Sequence, residues 1–537
     1  MPGRMTGGSM METAGRRHIV MVVVASVALS AGLVVPAGGG PARSDPDGLP
    51  LGPPGLEETR SSTELAPGVV HTLIRRGHPD PDDFFTVDVA LFVRRAGAES
   101  TVRALHRLGY AGRIERIETR APDDPRPGPT GYLVQVGRFS SQQRADAVAE
   151  RLIADGYPDA AGTHTSLDGS PTTGPWVVNI FDIDLRRWDG SLTPALGTGV
   201  VPGLERLTDI AARFDPLAAI NGGYFVIEPV DGTPGDLAGI GVEDGRLISE
   251  AVNGRTSLLL SQDPGDVAAI KALSTSLRAI SSGGDGRLVD GLNRKPGLIR
   301  SCGGVGGDVP TQRPKHDFTC TDGSELILFT PDFGANTEPG PGVEAVLDAT
   351  GRVTALRSRR GGAIPEHGSV LAGTGTDARW LRHHSAIDQR IRVLEHVRAG
   401  SGRVPLQEGL GIINGGPRLL NHGRNRITAF REGFVHLDDP FFYVAFGLRR
   451  NPRTIAGITA DHHLLLVAID GRQPDWSVGA SFVEEARVMR SLGAESAVNL
   501  DGGGSTTVTI GDDLVNRPSD EEGERPIGDA LLLLPPG

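Results

Sequence analysis

Three segments of this 537-residue chain put an asparagine or aspartate at the end of an apolar run and follow it with paired glycines. They are AINGGYF (Ala219–Phe225), IINGGPRLL (412–420) and NLDGGGSTTV (Asn499–Val508). Glycine is costly to order, so consecutive glycines mark a flexible spacer or a backbone that something must approach closely. A spacer fits poorly after Asp501, because ESAVNL reads as a strand running in and STTVTI as a strand running out. Glycines between strands, beside a carboxylate, read as a site where backbone N–H groups face an anion with no Cβ in the way. No Lys-Ser/Thr follows DGGGST at P-loop spacing, and no G-x-G-x-x-G is formed, so a nucleotide reading is weak.

Other polar residues divide between chemistry and turns. Asp470 in IDGR sits where a type I′ hairpin turn would place it, and Arg472 reads equally as a substrate contact or a solvated arginine. Glu484 opens VEEARVM and complements that helix's N-terminus. His383-His384 and His462-His463 are adjacent pairs without ligand spacing and read as surface residues.

The elements that must position these residues belong to more than one domain, because the chain is too long for one ordinary core. With 75 glycines and 39 prolines, turns outnumber long helices. A formal net charge of −12 and 5% aromatic residues argue against nucleic acid as a partner. From Gly174 onward, short strands such as WVVNIFDIDL, ELILFTPDF and HLLLVAIDGR outnumber the helical patterns GLERLTDIAARFD and SFVEEARVMRSLG. That mixture predicts an α+β domain with a mixed sheet, over 174–537, joined by a first strand over 64–77.

Residues 1–37 read as a signal peptide. Arg16-Arg17-His18 precede the apolar run Ile19–Val35, and small residues follow it. Residues 38–60, rich in Gly, Pro and Ser, read as a linker. Export makes Cys302 and Cys320 an expected disulfide, since two cysteines in an oxidising compartment pair by default. The location implied is secreted or bound to the cell envelope.

Residues 84–169 carry a different pattern. FFTVDVALF alternates as a strand, GAESTVRALHRLGY has helical spacing, and RIERIETR, GYLVQVGRFSS, QQRADAVAERLIADGY and AAGTHTSL follow. The order β-α-β-β-α-β is that of a split βαβ sheet with two helices behind it. Tyr132, Val134, Gln135, Val136, Gly137, Phe139 and Ser140 resemble the signature of SPOR domains, which bind peptidoglycan glycan strands. The resemblance implies that role for an inserted domain, with Gln135 and Phe139 as its peptidoglycan-binding residues.

The larger domain is similar to the phosphodiester glycosidase family, on AAINGGYF, NPRTIAGITAD, LLLVAIDGR, VGASFVEEARVMRSLGAESAVNLDGGGSTT and VNRPSDEEGERPIGDALLL. The resemblance implies a hydrolase cutting the sugar C1–O bond of GlcNAc-1-phosphodiester-like linkages in envelope sugar-phosphate polymers. The departing phosphate monoester, with a second pKa near ~6, leaves more readily than a sugar hydroxyl. The site must then supply a phosphate cradle, a carboxylate facing the oxocarbenium-like carbon, and hydrogen bonds to the sugar. Asp501 suits the anomeric face, Arg453 suits the phosphate, and Asn221 completes a catalytic set. Asn499, Gly502, Gly503, Gly504, Ser505, Thr454, Asp470, Arg472, Gly222 and Gly223 are the expected substrate-binding residues. No cofactor is implied with certainty, and a divalent cation such as Ca²⁺ is left open, as is any metal ligand. The alternative is a non-catalytic wall-binding or exopolysaccharide-assembly protein on the same fold.

Overall fold

A tight turn at Pro67-Gly68 splits what reads as one strand over 64–77 into a hairpin, Glu58–Ala66 and Val69–Arg76. Gly68 sits at φ 87°, a conformation a residue with Cβ resists. The computed structural model describes residues 48–261, 268–300, 309–310, 319–436 and 439–536. The signal-peptide segment 1–37 lies outside them. So does Cys302, whereas Cys320 is buried in the short strand Thr319–Thr321. Among the described residues no helix is long and apolar enough to cross a membrane.

The hairpin is the edge of an eight-stranded sheet. Inward from it come Trp176–Asp184, His463–Ile469, Arg453–Thr459, Ala494–Asn499, Arg418–Asn421 and Arg424–Asn425, each antiparallel to its neighbours. One face packs on the helix Phe482–Ser491 and on Phe442 and Tyr443. Ser481 and Glu484 form a capping box at that helix, and Glu484 also holds the Arg450 guanidinium. Leu49 and Leu51 join the same core beside Trp176. The described part of 38–60 is therefore packed rather than a linker. Two leucines anchor a stretch whose Gly/Pro content suggested freedom, and Arg76 Nε donates to Leu51 O at 2.8 Å.

The opposite face meets a five-stranded sheet through Val69, Phe181, Leu466, Val498, Ile220 and Leu531. That second sheet pairs Ala218–Asn221 with both Val508–Ile510 and Asp529–Leu534. Further sheets built from strands between 241 and 414, antiparallel except where Gly291–Leu292 runs parallel to Leu326–Phe329, complete a strand-rich α+β fold. The strand ends at Asn221 and Asn499 come from the two facing sheets. The predicted site is built where they converge.

Between Arg76 and Trp176, which are paired directly across the first sheet, the chain makes a separate four-stranded sheet. Its elements are Phe85–Phe92, the helix Arg95–Arg107, Gly112–Ile117, Gly131–Phe139, the helix Gln142–Ala154 and Ala161–His164. The expected β-α-β-β-α-β order is present. Both helices cover one face through Val87, Val89, Leu105, Val134, Val136 and Leu152.

Candidate active site

The three Asn/Asp-Gly-Gly segments converge and staple one another. Asn221 Nδ2 donates to the Asp501 carbonyl at 2.9 Å, while its Oδ1 accepts from Thr454 Oγ1 at 2.6 Å and from the Thr507 amide at 3.3 Å. Asn414 Oδ1 accepts from the Tyr224 amide at 2.8 Å. Asn499 Nδ2 donates to Gly416 O at 2.9 Å, to Leu500 O at 2.7 Å and to Tyr224 Oη at 2.5 Å. Asn221, Asn499 and Thr454 are buried and their named contacts are internal. These bonds tie the loops together, with Asn221 holding the backbone that carries Asp501.

The glycines make room. A Cβ on Gly502 would lie 2.7 Å from Pro452 O, and one on Gly503 would lie 3.2 Å from Arg472 Nη2. On Gly504 it would collide with Arg525 and Asp520, on Gly222 with the Asp529 carboxylate, and on Gly223 with Asn414. Gly503 also adopts φ 62°, which favours glycine. Two of the three amides expected to face an anion have partners within the chain. The Gly503 amide donates to Pro452 O at 2.9 Å, and the Gly502 amide serves the Asp501 carboxylate. The positive charge nearest the glycines is that of Arg472 beside Gly503 and Arg525 beside Gly504.

Arg453 is not among them. Successive residues of a strand face opposite sides of the sheet. Thr454 points toward Asn221, so Arg453 points into the helix-side core. There it is 1% exposed and lies 2.8 Å from Glu485, with Nε donating to Ala480 O at 2.8 Å and Nη2 to Phe446 O at 2.5 Å. Its guanidinium lies over the Phe482 ring, 4.6 Å from the centroid. No face is left for a phosphate. Asp470 is likewise internal, accepting from Trp476 Nε1 at 2.8 Å, Asn516 Nδ2 at 2.9 Å and the Arg517 amide at 3.1 Å. Ser505 is fully buried beside Asp501, where its hydroxyl lowers the carboxyl pKa.

What reaches solvent is Asp501, Gly502, Gly503, Arg472 and Arg525. Arg472 donates through Nε and Nη2 to Asn451 Oδ1 at 3.1 and 3.0 Å. Although exposed, it is crowded by protein, and that crowding, with the Arg525 and Arg453 charges, lowers its pKa. Arg525 is held 2.8 Å from Asp520. Burial pushes Asp501 up to about 6, against the Ser505 hydroxyl, the Arg525 charge, the Gly502 amide and the Arg472 charge. Asp529, whose Oδ1 accepts the Gly223 amide at 2.8 Å, is pushed up to about 7 by burial and the neighbouring Asp501 charge. Tyr224 and Phe446, both half-buried, form an aromatic wall with Phe434, at centroid distances of 6.2 Å (Tyr224–Phe446) and 5.7 Å (Phe434–Phe446). Arg525, Asp529 and Tyr224 were missed, although YF follows NGG directly and ERPIGD contains both Arg525 and Asp529. Among the described residues no group of three or more His, Cys, Asp or Glu side chains is placed to hold a metal ion.

The family model for phosphodiester glycosidase matches residues 341–534, spanning most of these groups, and the SPOR domain model matches 128–173. Residues 341–534 are thus a domain of the phosphodiester glycosidase family. A "putative exported protein" of Burkholderia pseudomallei K96243 is similar at 36% identity and TM-score 0.83, over 91% of this chain and 98% of that one. A hypothetical protein from Synechocystis shares the fold at 17% identity and TM-score 0.52, over 89% of this chain and 76% of that one. The zebrafish N-acetylglucosamine-1-phosphodiester alpha-N-acetylglucosaminidase catalytic domain, auto-inhibited by its pro-peptide, aligns at 16% identity and TM-score 0.32. That alignment covers 67% of this chain and 77% of that one, a likeness too weak to carry an argument. No curated protein matches.

In this chain the SPOR-like residues are also placed differently from expectation. Gln135 is 3% exposed, its Nε2 donating to Asp88 Oδ1 at 2.8 Å on the helix-free face of the sheet. Phe139 is half-buried and packs toward the helix-side core. Neither side chain stands free on an open surface.

Proposed function

We propose that this protein is an exported hydrolase that cleaves the sugar C1–O bond of sugar-1-phosphodiesters, GlcNAc-1-phosphodiester-like, in cell-envelope glycopolymers. The SPOR-like unit would bring it to peptidoglycan. The observation that carries the reading is one carboxylate, on the half-buried Asp501, with two arginines, Arg472 and Arg525, laid across the adjoining glycines. The arginines suit the diester phosphate, and the Tyr224–Phe446 wall suits the apolar face of a sugar ring. As the C1–O bond breaks, its electron pair leaves on the phosphate, which the arginines stabilise. Ionised Asp501 stabilises the positive charge developing at C1, and water adds there, giving a proton to the released phosphate monoester, to yield free sugar. The exported Burkholderia relative supports the location.

The test is incubation of the purified protein with a soluble GlcNAc-1-phosphodiester. Free GlcNAc is expected. GlcNAc-1-phosphate would mean P–O cleavage instead, and no product would favour a non-catalytic binder. Because Asp501 must be ionised, kcat/KM should rise with pH through an apparent pKa near 6. Asp529→Asn should leave that limb in place, since Asp529 is already protonated where Asp501 titrates. A limb that moves by a unit in Asp529→Asn would reassign it to Asp529.

A further inference from the structure

The helix-free face of the SPOR-like sheet is closed against the rest of the chain. Leu133 and Gln135 on it are 1% and 3% exposed, and Asp88 is 4% exposed. The Asp88 carboxylate accepts from Gln135 Nε2 at 2.8 Å, from Thr163 Oγ1 at 2.9 Å, and from Arg449 of the main body. Next in sequence, Arg450 donates to Ser166 O at 2.7 Å and to Ser170 O at 2.8 Å, immediately after the last SPOR-like strand. Two consecutive arginines thus fasten one short segment to the inserted unit.

The following residue reaches the active site. Asn451 Nδ2 donates to Ala445 O at 2.9 Å and to Arg449 O at 3.3 Å, which fixes the direction of its amide. Its Oδ1 is then presented to Arg472, accepting both Nε and Nη2. Without that acceptor Arg472 would be a long, exposed side chain beside the like charge of Arg525, with no reason to stay over Gly503.

We infer that Asp88 and Arg449 are positioning residues for the active site, so that the SPOR-like unit, through the 449–451 segment and Asn451, sets the orientation of Arg472. This deepens the proposed function, resting on Arg472 as the phosphate-facing cation, and it gives the covered sheet face a role other than an open glycan surface. A glycan strand could occupy that face only by parting Arg449 from Asp88.

The experiment uses the full chain and two readouts. The first needs no ligand: the rate at which phenylglyoxal modifies Arg472, followed by peptide mass spectrometry. The second is KM for the soluble GlcNAc-1-phosphodiester. Asp88→Asn, which removes the charge and keeps the shape, should speed Arg472 modification and raise KM. Both effects should be on the order of 10-fold, the scale of coupling within one hydrogen-bonded network. The KM effect should disappear in an Arg472→Ala background, while kcat changes little. Leu105→Ala, which loosens the same unit from its helix side, is the control for destabilisation alone. Equal Arg472 reactivity in wild type and Asp88→Asn, or an equal change in Leu105→Ala, overturns the inference. Changed reactivity with no hydrolysis in any variant leaves the positioning standing and removes only the catalytic reading.

Discussion

Replacing Asp501 with asparagine is expected to lower kcat by on the order of 10³ or more while the protein stays folded. The two halves of that expectation have separate causes. The backbone at 501 is held by its neighbours, through Asn221 Nδ2 to the carbonyl at 2.9 Å and the Asp501 amide to Gly222 O at 3.2 Å, and an isosteric side chain leaves both bonds intact. In the proposed reaction the negative charge, by contrast, would face a carbon whose positive charge exists mainly in the transition state, so kcat should fall more than KM changes. Loss of ~10³ corresponds to about 4 kcal/mol of transition-state stabilisation. Near-wild-type turnover in a folded Asp501→Asn protein would remove the aspartate from the chemistry and leave only an anion-binding pocket.

The second large effect is on stability. Arg453→Ala should destabilise the fold by about 3–5 kcal/mol, the usual result of removing one partner from a buried ion pair. Glu485, fully buried beside it, would keep its burial and lose the cation that offsets it; burial already raises its pKa, with Arg453 the opposing influence. The carbonyls of Ala480 and Phe446 would lose a donor, and the space over Phe482 would empty. Thermal melting measures this directly. Replacing Arg453 and Glu485 together by apolar residues of similar size should recover most of the loss. A variant that melts like wild type but binds the diester poorly would restore Arg453 to the phosphate.

That contrast shows how far the sequence could be read. The Asn/Asp-Gly-Gly segments were legible as strand ends that meet, because paired glycines after an apolar run have few other uses. Which arginine serves them was not legible. Arg453 opens a strand, where one residue of phase decides between core and cleft. Arg472 lies past the end of the adjacent strand at φ 59°, where no strand phase applies. Arg525 follows the acidic, turn-rich stretch SDEEGE, where no periodicity assigns a direction. The split βαβ order was legible from helical spacing and alternation. The covering of its open face was not, since it depends on Arg449, far along the chain, meeting Asp88. Leu49 and Leu51 were hidden by surrounding Gly and Pro, which describe local stiffness and say nothing of two leucines docking beside Trp176.

The point where the SPOR-like unit leaves the main sheet has a bearing on how the chain folds. Arg76 and Trp176 are direct partners across two strands, and just beyond them His78 N donates to Thr173 O at 3.0 Å. Bringing such ends together through a disordered excursion of roughly 100 residues would cost roughly 4 kcal/mol beyond a length-independent constant. A folded insert presents its two ends already side by side, so most of that entropy has been given up before the outer strands meet. The insert's strands pair only with one another, and during synthesis it is complete before Trp176 emerges. An insert that folds first would hold Arg76 and Trp176 close enough to pair, making the small unit the clasp of the outer sheet.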